Sequence, residues 1–158
     1  MGDGRPTFAS SCTPLRVSFA GGGTDLPEFY RNNEGGGAVL SAAIDKHLYV
    51  TVKRHSAIFD EKYRLNYSTS ELVNSVDEIK NDIVRECIKF LDIDDPLYIS
   101  VIADLPHSSG LGSSSAFAVG LLNAFHMLRG EKVTVYEIAE EAFHVENRLL
   151  GRPVGKQD

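Results

Sequence analysis

A single stretch, LPHSSGLGSSSA at residues 105–116, constrains the fold of this chain more than any other part of the sequence. The β-branched run PLYISVIAD precedes it at 96–104, and apolar side chains follow it at helical spacing, namely Phe117, Leu121, Leu122, Phe125 and Leu128. This order predicts a strand, a glycine-rich turn and a helix in direct succession. Because the first N–H groups of a helix have no acceptor within the helix, such a junction is a typical anion site.

The residue types in this turn favour phosphate binding. Gly110 and Gly112 let the backbone turn tightly, so that amide N–H groups can reach a phosphate. Hydroxyls for phosphate oxygens or for a hard cation come from Ser113, Ser114 and Ser115. A plain turn in which one serine caps the helix is the alternative interpretation. The stretch is not a Walker loop, because that pattern requires Lys where this chain has Ser113.

A second glycine-rich loop follows the first predicted strand. Residues 15–20, LRVSFA, alternate as in a strand and lead into GGGTD at 21–25. The loop does not fit the dinucleotide pattern, because Leu26 stands where that pattern needs its third glycine. Three glycines permit close approach of a ligand, so we interpret it as a binding loop. Arg16 and Asp25 flank this loop, and each taken alone would be interpreted as a surface charge.

The order of the remaining patterns predicts an α+β domain. Residues 1–13 are small, polar and unpatterned, and we interpret them as a flexible leader before one domain at 14–158. After a short helical turn near 27–33, further strands are predicted at 38–44, 46–54 and 63–68. A strand-rich first half followed by helices favours α+β over an alternating parallel sheet.

Two more helices are predicted from capping-box spacing. Ser75 and Glu78 precede one apolar stripe, which consists of Ile79, Ile83, Val84, Cys87, Ile88 and Leu91. Thr134 and Glu137 open a helix that extends to about Leu150. Its predicted buried face carries Val135, Ile138, Ala139, Ala142 and Leu149.

Glu146 falls on the face of the last helix that should be buried. A buried carboxylate without a partner is costly, so we expect Glu146 to meet a metal, a cation or a polar cleft. The alternatives are a flanking position that reaches solvent and a salt bridge with Arg148 or Arg152.

The segment GRPVGKQD at 151–158 ends that helix and places Lys156 and Asp158 in a loop. Loops at helix ends often present catalytic groups. Taken alone, Asp158 would be interpreted as a solvated residue.

Composition limits the class of protein. The 158 residues carry a formal charge of −6 and contain no block of Lys and Arg, which argues against binding to nucleic acid or to a membrane surface. Cys12 and Cys87 lack metal-type spacing, and Cys87 is expected in the core. The N-terminus lacks the apolar segment of a signal peptide, and no apolar run approaches the roughly 20 residues of a membrane helix. We therefore expect a soluble, cytoplasmic protein.

Three motifs together resemble the GHMP kinases, the superfamily named for galactokinase, homoserine kinase, mevalonate kinase and phosphomevalonate kinase. LPHSSGLGSSSA resembles the ATP-phosphate loop of the family, PLRVSFAGGGTDL its first sugar-kinase motif, and GRPVGKQD the segment with the catalytic aspartate. The resemblance implies an α+β N-terminal domain of the ribosomal protein S5 domain 2-like type, with strands and helices in two layers.

Within the superfamily, AGGGTDLPEFY most resembles the D-glycero-D-manno-heptose 7-phosphate kinases and related sugar-1-kinases. Galactokinases carry Glu and His where this chain has Gly22 and Gly23, so plain galactose is an unfavoured substrate. The implied activity is phosphorylation of the anomeric hydroxyl of D-glycero-D-manno-heptose 7-phosphate or of a related sugar such as fucose.

The resemblance also implies a role for each motif residue. ATP phosphates would bind at Pro106, Ser108, Ser109, Gly110, Leu111, Gly112, Ser113, Ser114 and Ser115. Mg²⁺ would be held by Ser114 and Glu146, and the sugar would be bound by Gly22, Gly23, Thr24 and Asp25. Asp158 would be the catalytic base, and Arg16 would stabilise charge on the transferred phosphoryl group.

Kinases of this superfamily are much longer and contain a second domain. We therefore expect this chain to be an N-terminal part, inactive by itself and with apolar surface that makes a homodimer possible. A noncatalytic remnant or binding module of the same fold is the alternative.

Overall fold

The computed structural model describes residues 4–56, 58–106 and 109–157. These residues form five strands, namely β1 (Phe8–Ala20), β2 (Leu40–Arg54), β3 (Tyr63–Asn66), β4 (Ser70–Val73) and β5 (Leu97–Ala103). Four α-helices accompany them, namely α1 (Pro27–Tyr30), α2 (Asp82–Phe90), α3 (Ser113–Arg129) and α4 (Val135–Phe143). A 3₁₀ turn covers Val76–Glu78, and a π-helical segment covers His144–Leu149.

The strands form one sheet in the order β1-β2-β5-β3-β4. The β3–β5 pair is parallel, whereas the other neighbours are antiparallel. Helix α3 packs on β1 and β2, and α2 and α4 pack against α3. The architecture confirms the predicted α+β class with two layers. Because β1 is an edge strand, one side of its backbone is available to the loop that precedes α3.

The first strand begins earlier than the sequence suggested. Residues 8–13 belong to β1, not to a flexible leader, and they pair with β2 from Phe8↔Lys53 onward. Ala9 and Ser11 are buried. Helix α3 packs closely on this stretch, which leaves room only for small side chains. The stretch therefore lacks the alternation of large apolar and polar residues that marks most strands.

The two strands predicted at 38–44 and 46–54 are one strand, β2. The predicted break at Asp45 coincides with a shift in register, where the β1–β2 pairing passes from Pro14↔His47 to Arg16↔Ala43. A bulge accommodates extra residues without ending the strand, which explains the misleading pattern. The short strand β4 was not predicted.

The first capping box caps a 3₁₀ turn and not the helix. Ser75 and Glu78 make both reciprocal bonds, but α2 begins only at Asp82 with Asn81 as its N-cap. The apolar stripe is confirmed, because its residues from Ile79 to Ile88 are buried and Leu91 packs against the core.

The last helix was predicted correctly at its start but not along its buried face. Thr134 and Glu137 form the predicted capping box, and Ile138 and Ala142 are buried. Val135, Ala139 and Leu149 are exposed instead. The helix widens into the π-helical segment after Phe143, which changes the angular position of Leu149, whereas Val135 and Ala139 lie before that segment in regular α-helix.

The core lies between the sheet and the helices. The predicted α3 stripe is buried there throughout, as is Cys87. Burial raises the pKa of the Cys87 thiol, which therefore stays protonated. The open face of the sheet carries exposed apolar side chains, among them Phe8, Tyr49 and Ile102. Within the described ranges, no helix has both the length and the apolar character needed to cross a membrane.

Helix α3 contacts β1 closely at Gly120. A Cβ atom there would lie 2.8 Å from Thr13 Oγ1 and 3.1 Å from Ser11 Oγ. The Ser11 hydroxyl also donates to the Gly120 carbonyl oxygen at 2.7 Å.

We predict that Gly120→Val lowers the free energy of unfolding by about 1–3 kcal/mol, because the side chain forces helix and strand apart. Urea denaturation checks this, with the exposed Met127→Val as control for the cost of a β-branched residue in the same helix. Equal stability of the two variants would contradict the close contact.

Candidate functional site

The turn before α3 has the geometry expected of a phosphate loop. Gly110 and Gly112 adopt left-handed conformations, with φ of 74° and 72°. Gly112 is the N-cap of α3, so the interpretation in which a serine caps the helix is wrong. The first intrahelical bond runs from the Ala116 N–H to the Gly112 carbonyl at 2.9 Å, which leaves the N–H groups of residues 113–115 for a ligand. Ser108, a predicted member of this loop, lies outside the described residues.

Arg16 holds this loop against the edge of the sheet. Its backbone N–H donates to the Leu111 carbonyl at 3.2 Å, and its Nη1 donates to the Gly110 carbonyl at 3.1 Å. A Cβ atom on Gly112 would lie 3.2 Å from Arg16 Cζ, so the guanidinium packs directly on the glycine. The structure thus brings Arg16 together with the loop, as its predicted role requires.

The loop opens into a cavity of about 810 Å³. One wall is apolar and consists of Leu48, Ile83, Val101, Ala103, Leu105 and Phe117. Polar groups from the loop and from the start of α2 line the rest, including Arg16, Asn81, Asp82, Ser113, Ser114 and Arg152. An apolar wall beside a set of backbone donors suits a nucleotide, because the base and the phosphates need these two environments.

Glu71 supports the wall of the cavity that contains Tyr67 and Asn81. Its buried carboxylate accepts from the Tyr67 hydroxyl at 2.5 Å and from the N–H groups of Lys80 at 2.6 Å and Asn81 at 3.1 Å. Burial alone would raise the pKa of Glu71, but these hydrogen bonds hold it below its ordinary value. Sequence reasoning missed this residue, because nothing in the sequence marks the short strand β4.

Glu146 is buried as predicted and lies in the π-helical segment, with 1% of its surface exposed. It accepts a hydrogen bond from the Ser115 hydroxyl, and Arg152 Nη1 lies 3.4 Å from Oε1. The polar cleft and the Arg152 salt bridge considered from the sequence are therefore both present. Arg152 also contacts both carboxylate oxygens of Asp82 at 2.8 Å.

The predicted magnesium pair is divided between two neighbouring cavities. Ser114 lines the large cavity, whereas Glu146 and Ser115 line a smaller one. A hydroxyl and a carboxylate are hard oxygen donors of the kind that Mg²⁺ takes together with water and phosphate. The donor chemistry therefore fits the ion, and the assignment of Ser114 and Glu146 stays a prediction.

The first glycine loop is locked by Thr24. Its hydroxyl donates to the Gly21 carbonyl at 2.7 Å and accepts from the Ala38 N–H at 3.1 Å. A Cβ on Gly21 would lie 2.0 Å from the Ala38 carbonyl oxygen, so the chain requires glycine there. At Gly23, in contrast, an added Cβ would meet no atom within 4 Å, which leaves space for a ligand.

Asp25 contacts the C-terminal segment. Its carboxylate accepts from the Gln157 N–H at 3.1 Å, which brings the first glycine loop next to the segment that leads to residue 158. The predicted catalytic Asp158 itself lies outside the described residues.

Comparisons with known proteins agree with this geometry. The family model for the GHMP kinases N terminal domain matches residues 81–158. D-glycero-alpha-D-manno-heptose 7-phosphate kinase of Campylobacter jejuni subsp. jejuni serotype O:2 is 34% identical over 92% of this chain and 45% of its own length. Galactokinase of Glaesserella parasuis serovar 5 is 27% identical over 92% of this chain and 38% of its own length.

Among solved structures, a D-glycero-D-manno-heptose 1-phosphate kinase from Bacteroides thetaiotaomicron superposes with a TM-score of 0.77 and 27% identity. The match covers 95% of this chain and 51% of that chain. The chain belongs to the GHMP kinases and contains their N-terminal domain. It spans less than half the length of the curated relatives it matches.

We predict that Glu71→Gln lowers the free energy of unfolding by about 1–3 kcal/mol near neutral pH, because an amide cannot accept all three hydrogen bonds. A carboxylate with a lowered folded-state pKa stabilises the protein above its unfolded-state pKa, and this stability is lost as pH falls through the folded-state pKa. The difference between wild type and variant should therefore shrink between about pH 7 and about pH 3.

Urea denaturation across that pH range checks the prediction, with the exposed Glu34→Gln as control. If the difference in the free energy of unfolding between wild type and Glu71→Gln stays constant with pH, the charge of Glu71 does not stabilise this wall of the cavity.

Proposed function

We propose that the protein is an ATP-dependent sugar kinase that works in the cytoplasm and transfers a phosphoryl group to a sugar or sugar phosphate. The observation that carries this proposal is the glycine loop at the start of α3, held by Arg16 and open to the large cavity. A phosphate at this position would be bound by backbone N–H groups and the positive end of a helix. No lysine is required for such a site.

The proposed acceptor is the anomeric hydroxyl of D-glycero-D-manno-heptose 7-phosphate. Support comes from the 34% identity to a heptose 7-phosphate kinase and from the open space at Gly23. Gly22 is also exposed. Because Gly22 and Gly23 are glycines, neither has a side chain that would contact a smaller sugar. A related sugar such as fucose is the alternative acceptor.

Catalysis in this proposal depends on position and charge. The sugar hydroxyl oxygen attacks the γ-phosphorus, its proton passes to the Asp158 carboxylate, and ADP leaves. Arg16 supplies a guanidinium beside the phosphate loop, where negative charge spreads over the transferred group. Phosphoryl transfer needs little covalent chemistry from the protein. Positioning of the reactants and stabilisation of charge would therefore account for most of the rate enhancement.

Ser114 and Glu146 are the proposed magnesium ligands, and Mg²⁺ would neutralise part of the phosphate charge. Glu146 already accepts hydrogen bonds from Ser115 and Arg152, and its two oxygens keep further lone pairs that would be available to a cation. Arg152 also pairs with Asp82, so its charge would stay compensated if a cation weakened its contact with Glu146.

We predict that the native gene product releases ADP only when ATP, Mg²⁺ and a sugar are present. A coupled assay against heptose 7-phosphate, fucose, mannose and galactose identifies the acceptor, and heptose 7-phosphate should give the highest kcat/KM. Asp158→Asn should lower kcat by roughly a hundredfold or more, because the general base is lost. Asp45→Asn serves as the matched control, since that side chain is fully exposed.

Nucleotide binding without turnover on any sugar would favour the noncatalytic binding module. Undiminished turnover of Asp158→Asn would contradict the assignment of the base while leaving the kinase activity in place.

A further inference from the structure

Both oxygens of the Asp25 carboxylate are engaged by backbone groups of two separate segments. Oδ1 accepts from the Gly23 N–H at 3.0 Å, and Oδ2 accepts from the Gln157 N–H at 3.1 Å. The Lys156 N–H approaches the Asp25 carbonyl oxygen at 3.4 Å. Asp25 therefore connects the first glycine loop to the segment at residues 155–157.

Gly155 passes directly across this carboxylate. A Cβ atom there would lie 1.8 Å from Asp25 Oδ2 and 2.3 Å from its Cγ. Real Cβ atoms do not approach other atoms so closely, so the contact requires glycine at this position. The segment cannot take any other residue here unless the carboxylate moves.

Two further contacts fix the flanks of the same segment. The Ser18 hydroxyl donates to the Gln157 side-chain oxygen at 2.8 Å. Lys156 extends the other way and pairs with Glu140 on α4 at 2.9 Å. The segment is thus held between β1, the first glycine loop and α4.

We propose that Asp25 is a positioning residue, which holds the 155–157 segment and thereby sets the place of the residue that follows it. This inference rests on the proposed role of Asp158 as the base. A general base must be held in hydrogen-bonding reach of its proton, and a displacement of about 1 Å can cost roughly a hundredfold in rate. The place of the 155–157 segment is set by a carboxylate and a glycine that lie far apart in the sequence.

A positioning role for Asp25 and a sugar-binding role for Asp25 lead to different expected kinetics. A residue that only binds sugar contributes to the KM for the sugar and has no effect on the segment in its absence. A positioning residue determines the order of the segment before any substrate binds, and its loss lowers kcat.

The first test is hydrogen exchange on the native gene product without nucleotide or sugar. Asp25→Ala should accelerate exchange of the Gln157 amide by roughly tenfold, the equivalent of one lost hydrogen bond. Asp45→Ala is the matched control, and unchanged exchange in α3 shows that the variant is folded. Unchanged exchange at Gln157 would overturn the proposal, whether or not the protein proves to be a kinase.

The second test separates kcat from KM. Gly155→Ala should lower kcat by roughly a hundredfold, because its Cβ would push the segment and the Asp25 carboxylate apart. Gly35→Ala is the control, since an added Cβ there meets no atom within 4 Å. An unchanged kcat, with or without a raised KM for the sugar, would contradict the positioning role of this contact. Failure of the wild type to turn over any sugar would reject the proposed function and leave the exchange measurement to decide this inference.

Discussion

The candidate site depends on the contact between the glycine loop and the free edge of β1. An edge strand has N–H and C=O groups without a strand partner, and here the Arg16 N–H pairs with the loop carbonyl of Leu111. The guanidinium of the same residue binds the Gly110 carbonyl and packs on Gly112. Glycines in left-handed conformations are flexible when free, so this bracing fixes the loop before a ligand arrives. A fixed loop loses less conformational entropy on binding phosphate than a mobile loop does.

A buried carboxylate connects the start of α3 to the π-helical segment and to α2. Glu146 needs compensation because charge in an apolar interior is costly, and Ser115 and Arg152 supply it. Arg152 in turn pairs with Asp82 at the start of α2. The arrangement ties the start of α3, the π-helical segment and α2 together through polar contacts at one side of the cavity. A cation at Glu146 would therefore alter contacts on all three elements.

Local patterns in the sequence were sufficient for the elements that determine the site. The strand, turn and helix around residues 105–116 were predicted because glycines, serines and helical spacing occur together in one short stretch. The buried position of Glu146 followed from its phase on an apolar face. Contacts between distant segments were not predictable in the same way. Nothing near Asp25 in the sequence indicates that Gly155 packs on it, and β4 is too short to show a pattern. The π-helical segment that follows α4 changed the angular position of Leu149, and nothing in the local pattern indicates where that segment begins.

A crystal structure of the native gene product with a non-hydrolysable ATP analogue and Mg²⁺ tests the central claim most directly. The account predicts that phosphate oxygens lie about 3 Å from the backbone nitrogens of residues 113–115, with Arg16 still bonded to the loop. It also predicts that the base of the nucleotide lies against the apolar wall of the large cavity. Phosphates held by a lysine side chain, or a nucleotide bound away from this loop, would contradict it.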